Sequence, residues 1–295
     1  MLNLNFKAPL IAAFFCVAVL VGCNEDQPIK GLTAAQCTAQ TTPIARVQGN
    51  ATESPMLGQQ VTVRGIVTLA QNGRGLYIEE PDSDADARTS NAIFIETATW
   101  PSEIAKGSLI SVKGNVSEIG SGRYSMTAVN GLEELVHCSR GHPLPVTDVS
   151  LPLNGPGREA LEGMRVAINE PLTVTDNYQL ARKKITLSGN GRQFIPTELA
   201  APGREAAELL RSNKAFSLAA LLTEEIDQPD VLINGATMEN TVGIVAHDGN
   251  DLRLSLQATS PATPPTGFSA PGAPGDGVVR VAGINLHNYF NGDGN

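Results

Sequence analysis

Hydrophobic and polar residues alternate along much of the first half of the chain, as they do in strands with one buried face. The β pattern begins at Ile44 and is clearest over 60–68, where Val61 and Val63 alternate with polar residues. Turn sequences such as the glycine-containing 72–75 separate the apolar runs. The predicted strands of this region are 60–68, 76–80, 92–95, 108–116, 123–128 and 134–136.

Five or six short strands joined by glycine-rich turns predict a small closed barrel over residues 43–140. Gly65 and Gly114 lie inside two of the longer strands, where a glycine lets a strand bend around a barrel corner. This arrangement is typical of OB-fold barrels. The predicted fold is therefore mainly β, beginning with an OB-like barrel of five or six strands.

A junction with two prolines, at 142–145, separates this barrel from a second mainly β domain over 146–257. The pattern predicts a short helical turn at 157–164 and a short helix at 206–211. It leaves the strand order of the second domain open. The predicted strands are 165–168, 172–175, 185–187, 241–246 and 252–256.

Residues 258–277 are dominated by proline and glycine, a composition typical of an extended linker without a packed core. The apolar run that follows, within 278–295, predicts one fully buried strand. A single strand has no partners for its backbone N–H and C=O groups. We therefore expect it to be the first strand of a third, truncated α/β domain.

The first 23 residues have the pattern of an export signal, with Lys7 before an apolar run that is short for a membrane span. The run ends in Leu-Val-Gly-Cys at Cys23, which resembles the lipobox of bacterial lipoproteins. In that family the cysteine is lipidated and anchors the protein to a membrane. We expect an exported lipoprotein at the outer membrane or cell surface, with 24–42 as a tether. The alternative is an ordinary signal peptide.

The four cysteines have separate expected fates. Cys16 leaves with the signal and Cys23 carries the lipid, so Cys37 and Cys138 remain as a pair in an oxidising compartment. We predict a disulfide between Cys37 and Cys138, and two buried thiols are the alternative. The pair has no CxxC or histidine-rich spacing, which argues against a metal site there.

Composition and charge narrow the function classes. Hydrophobic residues make up 41% of the chain and charged residues 17%, which excludes a charged coiled coil and a wholly disordered chain. The formal net charge is -9, whereas a protein that coats nucleic acid over its whole surface is normally basic. Any contact with nucleic acid must therefore be local or assisted by a metal ion.

Three aspartates form a candidate cation site. Asp82, Asp84 and Asp86 alternate like the early ligands of a Ca²⁺ loop. The glycine and the bidentate glutamate of such a loop are missing, and Ile93 stands at the twelfth position. A solvated acidic loop is the alternative.

Basic and aromatic residues of the first barrel form a candidate nucleic-acid surface, because cations hold phosphates and aromatic rings stack on bases. We expect Phe94 and at least one tyrosine to be buried instead, because the core is poor in aromatic residues. The one basic run of the chain, 182–184, lies in the second domain. The candidate contacts are Arg64, Arg74, Tyr77, Lys113, Arg123 and Tyr124.

The terminal run reads RVAGINLHNYFNGDG over 280–294. It resembles the opening strand of the catalytic domain of secreted bacterial nucleases in the endonuclease/exonuclease/phosphatase superfamily, which also contains DNase I. Asn285 matches the first-strand asparagine of that family, which helps to arrange Mg²⁺ and the scissile phosphate. Gly283, Ile284 and His287 depart from the family pattern and leave that asparagine in place.

Upstream segments resemble the same nucleases in the same order. The resemblance implies an OB-like barrel, DNA as partner, and metal-assisted attack of water on a phosphodiester with a histidine as base. The family's metal-binding glutamate and His–Asp pairs come after the first strand, so we expect this chain to be inactive alone. The matching segments are 44–49, 54–68, 79–95, 161–166 and 172–178.

These features together favour the N-terminal, substrate-placing part of an exported, metal-dependent DNA nuclease, with no protein partner predicted. Mg²⁺ is the cofactor implied for the full-length family, and Ca²⁺ is the candidate at the aspartates. The alternative from another class is a stand-alone surface lipoprotein that binds a polymer or a cation without catalysis. A phosphatase of the same superfamily is a third hypothesis.

Overall fold

A computed structural model describes residues 37–120, 125–153, 159–223, 226, 231–247 and 252–266, together with 275, 279 and 281. These residues form a mainly β protein with two sheets and few helices. The prediction of a mainly β fold is confirmed. The expected signal with Cys23 lies outside the described residues, as does Asn285 of the expected terminal strand.

The first five strands form one sheet that closes on itself, which we call the ring. Its strands are β1 (Gln60–Gln71), β2 (Gly75–Glu79), β3 (Ala92–Glu96), β4 (Leu109–Ile119) and β5 (Met126–Ser139). They follow the order β1-β2-β3-β5-β4 around the ring. Neighbours are antiparallel except β3 and β5, which run parallel.

Alternation located the strands of the ring, but the structure joins two of them. The expected strands 123–128 and 134–136 contribute to the single strand β5. Asn130 and Gly131 do not end this strand, because β4 pairs with it on both sides of a register shift at Gly114. A Cβ on Gly114 would lie 2.6 Å from the carbonyl oxygen of Asn130, so glycine permits the close approach of the two strands.

A short helix, α1 (Ile44–Gln48), stands where the pattern predicted the start of the β region. That prediction was wrong for these residues. Pro43 precedes the helix with a φ of -55°, a value that suits a helix start. Ile44 and Val47 are three positions apart, so they share a helical face, and both are fully buried in the core of the ring.

The remaining eight strands form a second, mixed sheet. They are β6 (Thr147–Val149), β7 (Arg165–Ile168), β8 (Leu172–Asp176), β9 (Lys184–Ser188), β10 (Ser217–Leu222), β11 (Thr237–Met238), β12 (Thr241–His247) and β13 (Leu252–Ala258). Their order is β11-β8-β9-β10-β13-β12-β7-β6, with parallel pairs β10–β13 and β6–β7. Two helices, α2 (Pro196–Leu199) and α3 (Arg204–Phe216), lie between β9 and β10 in the chain.

Three strands of this sheet, β6, β10 and β11, were not predicted from the pattern. β10 reads SLAALL and has no β-branched or aromatic residue, so its sequence expresses little strand preference. It becomes a strand because its backbone pairs with β9 on one side and β13 on the other. The predicted helix 206–211 is the middle of α3.

The first part of the expected linker, 258–277, is bonded to the second sheet. The backbones of Thr237 and Thr263 exchange two hydrogen bonds, 2.9 and 2.8 Å long. Ala262 packs against the core of this sheet. The domain boundaries stay a prediction, and the structure shows that sheet contacts continue past residue 258.

The ring and the second sheet share a buried contact. Gln257 of β13 donates a hydrogen bond to the carbonyl oxygen of Thr68 over 2.7 Å, and it accepts one from Arg165 Nε over 2.9 Å. Apolar burial across this contact stabilises the two sheets against each other. The shared apolar cluster contains Leu69, Tyr77, Phe94, Met126 and Ala128 of the ring, with Ile244 and Ala246 of β12.

A disulfide joins Cys37 to Cys138, which confirms the pairing predicted from the cysteine count. The bond ties the segment before α1 to β5 across a sequence separation of 101 residues. In the chain-entropy model, closing a loop of this length stabilises the folded state by about 4–5 kcal/mol.

Candidate nucleic-acid interface

A groove of about 380 Å³ lies on the ring, between the segment before α1 and the strands β1 and β4. The amide of Thr42 donates to the carbonyl oxygen of Thr62 over 2.7 Å, which ties this segment to β1. The buried face of α1 holds the helix against the ring and leaves Arg46 exposed at the groove. Gln60 and Lys113 belong to the opposite, strand side of its lining.

The lining of the groove contains two cations, Arg46 and Lys113, and no carboxylate. Lys113 Nζ lies 2.8 Å from one oxygen of Glu133, and Gln60 Nε2 donates to the other over 2.6 Å. The hydrogen bond between Lys113 and Glu133 raises the pKa of the lysine and lowers the pKa of the glutamate. Lys113 is therefore charged and paired with Glu133, and Arg46, exposed at the groove, suits the oxygens of a phosphate.

Sequence reasoning found Lys113 and missed Arg46. The missed residue lies in α1, at a place where the pattern predicted strand and gave no reason to single out an exposed cation. The available signal was the segment IARVQG, 44–49, which comes directly after a proline and has an arginine between apolar residues. A helix there places an arginine on the exposed face between two buried apolar residues.

The other predicted contacts occupy different settings. Arg64 is partly buried, and its guanidinium donates to the carbonyl oxygen of Cys37, so it holds the disulfide segment against the ring. Arg74 is exposed in the turn between β1 and β2. Arg123 and Tyr124 lie outside the described residues.

The prediction that Tyr77 contacts nucleic acid was wrong. Only 2% of this residue is exposed, and the centroids of the Tyr77 and Phe94 rings are 4.8 Å apart. All five residues of β2 are buried, so side chains on both faces of this strand are enclosed. Burial raises the pKa of the Tyr77 hydroxyl, which contacts the sulfur of Met126 at 3.6 Å. The expected burial of Phe94 and one tyrosine is confirmed.

The aspartates of the acidic loop bond to other groups of the same loop. Asp84 Oδ1 accepts the amide of Asp86 over 3.0 Å, and its Oδ2 accepts the hydroxyl of Thr89 over 2.9 Å. Asp86 pairs with the Arg88 guanidinium at 2.7 Å, and this hydrogen bond lowers the pKa of Asp86 to about 2. Asp82 is exposed beside them. The loop therefore uses two of its three carboxylates to hold its own shape.

The described part of the chain brings no three histidine, cysteine, aspartate or glutamate side chains together in a group that could hold a metal ion. Asp82, Asp84 and Asp86 consequently do not fit the predicted Ca²⁺ site. Asn285, expected to help arrange Mg²⁺, and Cys23, the expected lipid carrier, both lie outside the described residues. Within those residues, no helix has the length and apolar character needed to cross a membrane.

Two buried carboxylates were not marked by the sequence reasoning. Glu79 Oε2 accepts the amide of Arg165 over 2.9 Å, and Glu162 Oε1 accepts the amide of Thr127 over 2.8 Å. Both bonds cross between the ring and the chain that forms the second sheet. Burial raises the pKa of Glu79 to about 7 and that of Glu162 to about 8. The only sequence signal is that each glutamate stands beside apolar residues of a buried segment.

Among the described residues, the groove at Arg46 and Lys113 is a place that can hold an anionic chain. The buried carboxylates belong to the contact between the two sheets and lie outside the lining of that groove. Comparison of the chain with protein-family models and with curated proteins finds no match.

Proposed function

We propose that this chain is the substrate-placing region of an exported, metal-dependent DNA nuclease. The observation that carries the proposal is the groove on the ring, whose lining contains the exposed Arg46 together with Lys113, the partner of Glu133. The ordered motifs that resemble secreted bacterial nucleases support it. So does the ring itself, which we interpret as an OB-like barrel, an architecture suited to binding nucleic-acid strands.

The charge distribution favours local contacts with DNA over contact along the whole surface. The chain carries a net charge of -9, so most of its surface repels a polyanion. Arg46 supplies positive charge at the groove, Lys113 would share its charge between Glu133 and a phosphate, and the hydroxyl of Thr62 adds a hydrogen-bond donor for phosphate oxygens. Contacts of this kind hold the DNA backbone whatever its base sequence, which suits a region that places substrate.

The proposal also assigns a location. A lipid on Cys23 holds the protein at the outer membrane or the cell surface, and the Cys37–Cys138 disulfide agrees with an oxidising compartment. Cleavage is assigned to the metal site of the nuclease family, to which Asn285 belongs by resemblance. We expect this chain to bind DNA.

A DNA-binding measurement tests the proposal on the full chain, purified in detergent, and on the groove variant Arg46→Gln/Lys113→Gln. Fluorescence anisotropy of a labelled duplex gives Kd over a series of salt concentrations. We expect affinity to fall as salt rises. The groove variant should bind more weakly, with a slope of log Kd against log salt that is smaller by about 2, because two phosphate contacts are lost.

The matched control is Arg204→Gln/Arg211→Gln, which removes the same charge from exposed positions of α3 outside the groove. We expect it to keep the affinity and the slope of the wild type. An equal loss in the control and the groove variant would contradict the proposal. Absence of duplex binding at low salt would contradict it too, and would favour a surface lipoprotein that binds another polymer or a cation.

A further inference from the structure

The loop between β8 and β9 presents an aromatic ring to solvent. Tyr178 is 90% exposed, whereas Tyr77 in the ring is 2% exposed. The exposed tyrosine lies on the second sheet, away from the strands that form the groove. Its ring offers a flat apolar face with a polar edge, which is the kind of surface on which a planar ligand stacks.

Hydrogen bonds hold the loop in place at the exposed Tyr178 ring. Asp176 Oδ1 accepts the amide of Tyr178 over 2.8 Å. Asn177 Nδ2 donates to the carbonyl oxygen of Leu232 over 3.0 Å, which fixes the loop to another part of the chain. One turn of 3₁₀ helix follows, and its Leu180 packs against the core of the second sheet. The aromatic ring therefore stands on a rigid support.

Positive charge follows the tyrosine on the same loop. Residues 177–184 include Arg182, Lys183 and Lys184 and no acidic residue. Arg182 and Lys183 are exposed, and Lys184 is half-buried where β9 begins. Asp176, just before this stretch, is engaged with the backbone of the loop. A chain of net charge -9 thus carries three consecutive basic residues shortly after its exposed tyrosine in the sequence.

We infer that the 177–184 loop binds unpaired nucleotides of single-stranded DNA, with one base stacked on Tyr178 and neighbouring phosphates held by Arg182 and Lys184. Every base has a face that can stack on an aromatic ring. Inside a duplex, both faces of a base are already covered by its neighbours, so a surface tyrosine gains contact from unpaired bases. The inference rests on the proposed function, because it gives the same DNA substrate a second contact. It adds that the DNA at this contact is single-stranded.

The test uses the full chain in detergent and two labelled probes, a thymidine strand of about 16 nucleotides and a duplex of the same length. We expect Tyr178→Ala to weaken single-strand binding by about tenfold and to leave duplex binding unchanged. Tyr178→Phe should bind like the wild type, because stacking needs the ring and not the hydroxyl. Arg182→Gln/Lys184→Gln should reduce the salt slope of single-strand binding by about 1.

Phe194→Ala is the matched control, since this aromatic residue is also exposed, at 45%, and lies on another loop. It should keep wild-type affinity for both probes, and an unchanged unfolding temperature of Tyr178→Ala shows that its fold is intact. If Tyr178→Ala binds the single strand like the wild type while the groove variant still loses duplex affinity, the inference is overturned and the proposed function stands. If the wild type binds neither probe, the proposed function fails as well.

Discussion

Glu79 and Glu162 are carboxylates that lie in the contact between the ring and the second sheet. Each accepts a backbone N–H across that contact, over 2.9 and 2.8 Å. These bonds replace only part of the hydration shell of an ionised carboxylate, so burial dominates and raises the pKa values to about 7 and about 8. Both side chains are therefore neutral in mildly acid solution, and the contact is most stable there.

The variant Glu162→Gln tests whether burial of this carboxylate makes the free energy of unfolding depend on pH. An unfolded glutamate titrates near 4.5, so from there to about 8 the folded state holds a proton that the unfolded state has released. The free energy of unfolding of the wild type therefore falls as pH rises through this window. Glutamine stays neutral. We expect equal stability at the acid end and a gain on the order of 5 kcal/mol above the window, measured by urea denaturation.

Glu133 provides a control of opposite sign. It is exposed and hydrogen-bonded to Lys113, which lowers its pKa. Its stabilisation is present above the unfolded pKa and lost as pH falls through the folded pKa. Glu133→Gln should thus lose a little stability at neutral pH and none in acid. If Glu162→Gln is less stable than the wild type at every pH, the buried carboxylate is not what limits stability.

At the scale of elements, Gly75 sets how closely β2 approaches β3. A Cβ on this glycine would clash with the carbonyl oxygen of Ile95 and with the ring of Phe94, which would lie 2.7 Å from it. Its φ is 153°, which side chains rarely adopt. Gly73, in the same hairpin, has a φ of 73° and no heavy atom within 4 Å of a built Cβ. Alanine at Gly73 therefore tests backbone strain alone, whereas alanine at Gly75 adds a steric clash between β2 and β3.

Alanine at each of these positions should give different losses of stability. We expect Gly73→Ala to cost about 1 kcal/mol, the strain of a left-handed residue. Gly75→Ala should cost about 3 kcal/mol or more, because β2 and β3 must also move apart. Urea unfolding followed by circular dichroism measures both. Equal losses for the two variants would show that the ring relaxes around the added methyl group.

On the scale of the whole molecule, we expect the ring and the second sheet to unfold as one unit. Their contact includes Ile244 of β12, which is fully buried beside apolar residues of the ring. The single tryptophan, Trp100, packs against the core of the ring, so its fluorescence reports on the ring alone. If a substitution in the second sheet also destabilises the ring, Trp100 fluorescence will therefore report it.

Removing the Ile244 side chain with Ile244→Ala should destabilise the protein by about 2–5 kcal/mol, the usual cost of such a cavity. If the sheets are coupled, the unfolding transitions seen by Trp100 fluorescence and by circular dichroism shift together. Ile233→Ala, at a position that is 44% exposed, should leave both transitions in place. A shift of the circular dichroism transition with unchanged fluorescence would show that the ring unfolds independently.

Local pattern located most strands of the ring, because a strand with one buried face needs apolar residues at every second position. It also predicted the Cys37–Cys138 disulfide, since export and the fates of the other cysteines leave one pair. Only part of the candidate site could be predicted from the sequence. Lys113 was recognised by residue type, and Tyr77 was misjudged because residue type does not reveal that both faces of β2 are enclosed.

The sequence by itself thus determined the mainly β character, the strands of the ring and the disulfide, which follow from residues close in the chain or from counting. Tertiary structure alone decided that SLAALL becomes β10, that Ile44–Gln48 forms a helix, and that Arg46 and Lys113 meet at one groove. It also decided that the carboxylates of Glu79 and Glu162 are buried away from solvent. The physical reason is that pairing, burial and charge proximity here join residues far apart in sequence, so no local window contains them.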